Sequence, residues 1–226
     1  MPAFIGILSL DTRFPRIPGD AGNVGSYHLP ARLRVIEGVS SPEIVRDGRP
    51  TPGIVAQFTA AAQALEAEGA VLITSTCGFL ISVQAEIARA VRVPVLLSGL
   101  ALVPLVRSLT GGRPVGILTA SRASLGPAAL AAAGCTPDQV RIAGFENDPV
   151  FAATFLAAKS AQAATLDPAR IGAAVCAAGR ALVAEHPEIG AIVLECGNLP
   201  PYAAQLRAAT ARPVFSILDG ARLILP

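Results

Sequence analysis

Four short apolar runs occur twice in this chain, in one order, and this internal repeat limits the fold more than any other feature. The run GILS at 6–9 matches GILT at 116–119, and RVI at 34–36 resembles RIA at 141–143. Each run is short and rich in aliphatic residues, as buried parallel strands are. The repeat therefore predicts two similar halves, each built around a small parallel sheet.

The later part of each repeat leads to a cysteine. Cys77 follows the apolar run 69–73, and Cys196 follows the matching run 190–194. Each cysteine precedes a glycine and a helix-compatible stretch, and a Pro-Val pair stands at the same distance after each. In open parallel sheets, ligands bind beyond the carboxyl ends of the strands. We therefore expect Ser9, Cys77, Thr119 and Cys196, which all stand at such ends, to line one cleft.

Apolar runs alternate with Ala-rich helical stretches along the whole chain, which indicates an α/β fold. Strands are predicted at 4–10, 33–37, 70–75, 93–98, 115–119, 140–144, 191–195 and 214–217. Helices are predicted at 52–68, 79–91, 99–109, 122–133, 149–160, 168–185 and 199–210. We expect two pseudo-symmetric, open parallel-sheet domains with the active site in the cleft between them. Residues 1–98 and 218–226 would form the first domain, and residues 99–217 the second.

Composition excludes several classes of function. The net charge of +2 comes without a basic cluster, and only 4% of residues are aromatic, so nucleic acid is not an expected partner. The most apolar stretch, 93–106, is broken by two prolines, and we expect no membrane span. The N-terminus has no signal-peptide pattern, which predicts a cytoplasmic protein with reduced thiols. Two histidines and four dispersed cysteines give no metal-site spacing.

The two repeated cysteines suit proton transfer. A cysteine at the start of a helix feels the positive end of the helix dipole, which lowers the pKa of its thiol. The amides of Gly78, Phe79, Gly197 and Asn198 would be free to bind a substrate carboxylate, with the Thr76 and Asn198 side chains as further donors. One thiolate would then remove the α-proton, and the other thiol would return a proton to the opposite face.

The other chemically capable residues have simpler interpretations. Cys135 and Cys176 are expected to be small core residues, and His28 and His186 to be structural or solvent-facing. Arg13 and Arg16 are expected to be solvated loop charges rather than substrate ligands. They belong to the irregular segment 11–30, which leaves the first strand at its carboxyl end and is long enough to cover the cleft.

At these residues the chain resembles the aspartate/glutamate racemase superfamily, which includes hydantoin racemase, maleate isomerase and arylmalonate decarboxylase. The resemblance rests on STCGFL at 75–80, VGILT at 115–119 and LECGNLPPY at 194–202. It implies a cofactor-independent homodimer that acts on a small carboxylate, with Cys77 and Cys196 as the catalytic pair. The resemblance implies Thr76, Gly78, Thr119 and Asn198 as neighbours of the substrate carboxylate, with Asn23 as a further contact. Together with Ser9, Phe79 and Gly197, which stand at the strand ends and helix starts, they form the predicted substrate-binding set. Asn23 enters this set through the glycine-rich loop GDAGN at 19–23.

The chain departs from amino-acid racemases of this group beside both cysteines. Those enzymes carry Asn-Thr after the first cysteine, where Gly78-Phe79 stands here, and threonine after the second, where Gly197 stands. The departures disfavour aspartate and glutamate as substrates, and Phe79 suggests an apolar pocket wall. We expect a racemase or epimerase of an amino acid or derivative. Two alternatives stay open: a maleate-type cis–trans isomerase with a nucleophilic cysteine, and a non-catalytic small-molecule binding protein on the same scaffold.

Overall fold

Two four-stranded parallel sheets form the framework of the structure, a computed structural model that describes residues 3–226. The first sheet has the order β2-β1-β3-β4 and consists of β1 (Phe4–Leu10), β2 (Ala31–Ile36), β3 (Ala70–Ser75) and β4 (Val95–Leu96). The second has the order β6-β5-β7-β8 and consists of β5 (Val115–Thr119), β6 (Val140–Gly144), β7 (Ala191–Leu194) and β8 (Val214–Phe215). The same topology thus occurs twice, and the predicted fold class is confirmed.

Helices cover both sheets and connect the strands. They are α1 (Ser41–Ile44), α2 (Pro52–Ala67), α3 (Ile81–Ala90), α4 (Val103–Leu109), α5 (Pro127–Ala132), α6 (Pro149–Phe151), α7 (Pro168–Glu185), α8 (Ala203–Thr210) and α9 (Ile217–Ile224). The two longest, α2 and α7, begin with proline at the first helical position. Asp167 caps α7, because its carboxylate accepts the Arg170 amide at 3.0 Å. Within the described part of the chain, none of the helices combines the length and the apolar character that crossing a bilayer requires.

The register of the central strands places one cysteine at the carboxyl edge of each sheet. Leu8 of β1 pairs with Ser75 of β3, and the Thr76 amide donates to the Leu8 carbonyl at 3.0 Å. In the second sheet, Leu118 pairs with Leu194, and the Glu195 amide donates to the Leu118 carbonyl at 2.9 Å. Equivalent hydrogen bonds therefore fix the residue that precedes each cysteine.

The strands predicted at 93–98 and 214–217 are longer than those in the structure. β4 and β8 have two residues each, since Ser98 and Ser216 turn the chain into helices. Ser98 Oγ accepts the Leu100 amide at 3.1 Å, and the Ser216 amide donates to Asp219 at 2.8 Å. Side-chain caps of this kind end a strand without any change in hydrophobicity.

The last helix returns the chain to the first sheet. Ile217 and Ala221 of α9 pack in one buried cluster with Ile5, Ile7 and Leu72 of the first half. The C-terminal segment thus lies against the first sheet, whereas β8 belongs to the second. The expected domain limits are compatible with this path and stay a prediction.

Candidate active site

Cys77 and Cys196 both line a single pocket between the two halves. Cys77 follows β3 and Cys196 follows β7, which are inner strands of the two sheets. The two cysteines are 8% and 6% exposed, respectively. Of the other predicted substrate-binding residues, the pocket wall includes Thr76, Gly78, Phe79 and Asn198. The structure therefore brings six of the residues selected from the sequence to one place.

The glycines that follow the cysteines permit the two halves to approach closely. A Cβ on Gly78 would lie 2.2 Å from the carbonyl oxygen of Glu195, and a Cβ on Gly197 would lie 2.5 Å from that of Thr76. The contacts are reciprocal, because Thr76 and Glu195 are the residues that precede the two cysteines. The asparagine or threonine expected in amino-acid racemases at these positions has no room here.

Glu195 adds a buried carboxyl group to the pocket that both cysteines line. Its Oε2 accepts a hydrogen bond from the Thr119 hydroxyl at 2.8 Å, while Oε1 has no partner among the described residues. A Cβ on Gly78 would lie 2.4 Å from Oε1, so the carboxyl group packs directly beside the first cysteine loop. Burial raises the pKa of Glu195 to about 7.

Both thiols are harder to ionise than the sequence suggested. Burial, followed by the charge of Glu195, raises the pKa of Cys77 to about 12. The same two causes raise the pKa of Cys196 well above its ordinary value. Amides of Phe79 and Asn198 do lower these pKa values, as expected at helix starts, but burial and the nearby carboxyl group outweigh them. The prediction of lowered thiol pKa values is therefore wrong.

A chain of polar contacts distinguishes Cys196 from Cys77. Asn198 Nδ2 donates to the Asp20 carboxylate at 2.7 Å, which turns Asn198 Oδ1 toward the Cys196 thiol at 3.4 Å. Asp20 also pairs with Arg16 at 3.1 Å. The Asn198 side chain offers Cys196 only an acceptor, which favours the protonated thiol, and this opposes the Asn198 backbone amide, which lowers the pKa of Cys196.

Two segments cover the pocket. The irregular segment 11–30 supplies Phe14 and Arg16 to the pocket wall, and its Ala21 amide donates to the Gly197 carbonyl at 2.9 Å. The expectation that Arg16 is a solvated loop charge is wrong. From the other half, the segment 149–161 supplies Phe155, whose ring meets that of Phe14 at 4.8 Å. The centres of water molecules can occupy only about 20 Å³ of the covered pocket, so the pocket has room for one or two waters.

Four of the predicted substrate-binding residues lie outside the pocket wall. Ser9 donates to the Leu10 carbonyl at 2.9 Å, and Thr119 lies behind Glu195. Asn23 caps a short helical turn and donates to the Arg16 carbonyl at 2.8 Å, and Gly197 is covered by Thr76. Each has a structural role in this geometry, and direct substrate contact by any of them stays a prediction.

Sequence reasoning missed Glu195, Asp20 and Arg16. The signal for Glu195 was present, since a carboxylate that ends an apolar strand and precedes a repeated cysteine is unusual. Asp20 and Arg16 lie in the irregular segment, where no periodicity indicates which side chains turn inward. Within residues 3–226, no group of three or more His, Cys, Asp or Glu residues is arranged to hold a metal ion.

Solved structures with the same fold belong to the superfamily that the sequence resembles. Unliganded arylmalonate decarboxylase superposes with a TM-score of 0.59 and 17% identity over 99% of this chain and 94% of that one. Allantoin racemase from Klebsiella pneumoniae superposes with a TM-score of 0.60 and 13% identity over 99% and 86%. The resemblance is thereby confirmed at the level of fold.

The relatives found by sequence comparison have an activity other than racemisation. No family model matches the chain. A dimethylsulfoniopropionate lyase from Durusdinium sp. clade D is 32% identical over 97% of this chain and 73% of that protein. Dimethylsulfoniopropionate lyase 5 from Emiliania huxleyi (strain CCMP1516) is 33% identical over 95% of this chain, which spans 43% of that protein.

These relatives correct the expected reaction class. The prediction of an isomerase, whether racemase, epimerase or cis–trans isomerase, is wrong, because the curated relatives are lyases. The alternative of a non-catalytic binding protein receives no support from these relatives, which are enzymes. The repeat in the sequence indicates the fold and two thiols suited to proton transfer, but the expected racemisation differs from a lyase reaction in returning the proton to the same carbon. The identity along almost the whole chain shows that the protein belongs to the dimethylsulfoniopropionate lyase family.

Proposed function

We propose that the protein is a lyase that cleaves dimethylsulfoniopropionate, or a closely similar sulfonium carboxylate, by β-elimination. The observation that carries the proposal is the 32% identity to the Durusdinium lyase over 97% of the chain. The pocket supports it, because both cysteines line a mostly apolar space at the carboxyl ends of the central strands. Apolar walls suit the methyl groups of a sulfonium ion, and the start of the helical run at Gly78 suits a carboxylate.

The proposed reaction needs one base and no acid. The base takes the proton on the carbon next to the carboxylate, and the C–H electron pair becomes the new carbon–carbon double bond. The carbon–sulfur bond breaks, and its electron pair leaves with the sulfur. The products are neutral dimethyl sulfide and acrylate, and the protonated base returns its proton to water. This step begins as racemisation does, and the leaving group on the β-carbon changes its outcome.

Cys77 is the proposed base. Arg16 lowers the pKa of Cys77, although burial and Glu195 raise it overall, whereas Asp20 and Cys77 add to the causes that raise the pKa of Cys196. Asn198 holds its acceptor oxygen toward Cys196. These contacts favour a thiol at Cys196 and direct ionisation to Cys77. Cys196 would then line and orient rather than take the proton.

Purified protein incubated with dimethylsulfoniopropionate tests the proposal. We expect dimethyl sulfide in the headspace by gas chromatography and an equal amount of acrylate by proton NMR. Cys77→Ser should reduce kcat by about 10²- to 10⁴-fold, which is the contribution of a general base. Cys196→Ser should lose less than about tenfold, because its hydroxyl can still donate to Asn198.

The matched control is Cys135→Ser. Cys135 is also buried but lies outside the pocket wall, and its thiol donates to the Leu130 carbonyl, which a serine can also do. We expect this variant to keep its activity. Absence of dimethyl sulfide release by the native protein would refute the proposed function. Equal loss in Cys77→Ser and Cys196→Ser would refute the assignment of a single base.

A further inference from the structure

Glu195 has an unfilled bonding position inside the pocket. Its Oε2 accepts the Thr119 hydroxyl, whereas Oε1 is buried and receives no hydrogen bond from a described residue. The residue is 2% exposed and lines the pocket beside Gly78. A buried carboxylate oxygen without a partner carries a large desolvation cost, and it indicates a ligand group that completes the site.

The charges on the pocket wall leave Glu195 uncompensated. Arg16 is the other charged residue there, and Asp20 already pairs with it at 3.1 Å. The guanidinium group of Arg16 also lies 4.5 Å from the centroid of the Phe14 ring, so that ring face is occupied. A cation that enters this pocket therefore finds the free carboxylate oxygen of Glu195, whereas the Phe14 ring face is already taken by Arg16.

The surroundings define what kind of cation fits. The walls are largely apolar and include Leu10, Phe14, Val45, Phe79, Phe155 and Leu156. An ammonium group with N–H donors would need several acceptors, and the polar side chains of the wall other than Glu195 already have hydrogen-bond partners, as seen for Thr12, Ser41, Thr76 and Asn198. A methylated onium group carries charge without any donor, and its methyl groups pack against apolar walls. It needs one counter-ion and no further hydrogen bonds.

We propose that Glu195 is the counter-ion for the methylated onium end of the substrate, and that it selects cationic carboxylates over neutral ones of the same shape. The proposal rests on the proposed function, since the sulfonium ion is that substrate's cationic end. It also connects binding to the chemical step. The charge of Glu195 is, after burial, the second cause of the raised pKa of Cys77. A bound onium group offsets that charge, so the proposed base ionises more readily when the cationic substrate is present.

Two carboxylates of one shape separate charge from size. 3-(Trimethylammonio)propionate carries a methylated cation, and 4,4-dimethylpentanoate has carbon in place of its nitrogen. We expect isothermal titration calorimetry on the native protein to give the cation an affinity about 10 to 100 times higher, as for an ion pair formed away from water. In Glu195→Gln, which keeps the side-chain shape and an acceptor for Thr119, the two affinities should agree within about threefold.

The control variant is Glu188→Gln, which removes one negative charge from the surface, where Glu188 pairs with Arg141. It should keep the preference for the cation. A native protein that does not prefer the cation would overturn the proposal. A Glu195→Gln variant that keeps the preference would also overturn it, even if the variant loses activity. Glu195 would then serve proton transfer and would not be the counter-ion of the cation.

Measurements on the native protein at several pH values cover the case in which Glu195→Gln does not fold. Preference for the cation should rise as pH increases through about 7, where Glu195 ionises. The groups that face Glu195 do not imitate this change. Thr119 does not ionise, the pKa of Cys77 is raised to about 12, and the pKa of Cys196 is raised well above its ordinary value. Asp20 and Arg16, the next charged residues near the pocket, form an ion pair with each other. A preference that is constant from pH 5.5 to 8.5 would overturn the proposal.

The two proposals fail in different ways. If dimethylsulfoniopropionate releases no dimethyl sulfide but the preference disappears in Glu195→Gln, the proposed function is wrong and Glu195 recognises another onium carboxylate. If dimethyl sulfide is released and Glu195→Gln keeps the native preference, the role of Glu195 is wrong and the lyase activity stands.

Discussion

Thr76 and Glu195 occupy equivalent positions in the two halves, one residue before each cysteine, and their chemistry differs. Thr76 Oγ1 accepts the Leu10 amide at 3.2 Å, and so its polar atom is satisfied within its own half. Glu195 is satisfied at one oxygen only. A single residue therefore gives the second half's wall of the pocket a negative charge that the first half's wall lacks.

The buried carboxyl group of Glu195 should make the stability of the fold depend on pH. Its pKa in the folded protein is about 7, against an ordinary value of 4.5. The folded state thus holds this proton more tightly than the unfolded state. The carboxyl group costs no stability while it is protonated in both states. Its cost grows as pH rises above the ordinary pKa of 4.5 and reaches its full value above the folded pKa of about 7.

We expect Glu195 to lower the free energy of unfolding by about 2.5 kcal/mol between mildly acidic and mildly alkaline pH. Glu195→Gln removes this titration, so its stability should fall less over the same range. Urea unfolding at pH 5 and pH 8 measures the difference. Glu188→Gln, in which an exposed carboxyl group is removed, is the control. Parallel pH profiles for native protein and Glu195→Gln would show that the carboxyl group is not desolvated as the structure indicates.

At the residue scale, the sequence predicted the cysteines but not their environment. Repetition identified Cys77 and Cys196 because the same strand-and-glycine context occurs twice. The thiol pKa values depend instead on burial and on the charge of Glu195, which come from packing between the halves. A prediction from helix starts considers only the local helix dipole, which lowers a thiol pKa. Here burial and the charge of Glu195 raise the pKa by more than the local contribution lowers it.

The loops that follow β3 and β7 dock through their glycines, and this contact joins the two sheets at the pocket. Gly78 lies under the Glu195 carbonyl, and Gly197 lies under that of Thr76. Neither neighbour is the end of a flexible side chain, so neither can move aside without moving backbone. The geometry beside each cysteine is therefore coupled to the other half.

Gly197→Ala should destabilise the protein by about 1–3 kcal/mol, as overpacking of a close contact does. The added Cβ would meet the Thr76 carbonyl oxygen at 2.5 Å and the Ala21 Cβ at 3.1 Å. Lyase activity should also fall, since the second cysteine loop would shift. Gly53→Ala is the matched control, because a Cβ there meets nothing within 4 Å and the residue lies in α2. Thermal unfolding should show opposite signs for the two variants, with Gly53→Ala neutral or stabilising. Equal effects would contradict the docking role.

Most regular elements could be predicted from periodicity, and the exceptions have local causes. The strands at 4–10, 70–75, 115–119 and 140–144 and the helix at 168–185 match the structure. The predicted helix 149–160 does not, because the chain passes from α6 into a π-helical turn, Ala152–Leu156, and then a short helical turn, Lys159–Ala161. Phe151 and Phe155 are buried there against other aromatic rings. Tertiary packing sets this backbone, and helix propensity does not reveal it.

Access to the pocket involves the whole molecule, because both halves contribute to its cover. Asp11 pairs with Lys159 at 2.5 Å, and the Arg13 amide donates to Gln162 at 2.9 Å, so the first half's segment is held to the second half's. Because the pocket has room for one or two waters only, we expect a substrate to enter when these contacts open. Binding and release would then involve movement of the cover.

Hydrogen exchange followed by mass spectrometry should detect this movement. We expect amides in 11–30 and 149–162 to exchange faster than those in β1 and β5, because local opening needs less free energy than unfolding of a central strand. Added 3-(trimethylammonio)propionate should slow exchange in both segments together. If the cover is as protected as the central strands in the free protein, or if ligand protects one segment alone, the two segments do not open as one cover.

At this scale the sequence predicted the architecture and missed the reaction. Two α/β halves around a shared cleft follow from the repeat, and the structure confirms them. Racemisation and β-elimination share the removal of a proton beside a carboxylate, so residues suited to that step do not distinguish them. The leaving group belongs to the substrate, and only the relatives indicate it.

The unequal walls of the pocket also bear on stereochemistry. In dimethylsulfoniopropionate the carbon beside the carboxylate carries two hydrogens that are chemically identical in water. A site with thiols of equal basicity on both sides would take either of them. The Asn198–Asp20 contact at Cys196 and the Arg16 charge near Cys77 make the sides unequal. An achiral substrate would thus lose one prochiral hydrogen selectively, and the acrylate would retain the other.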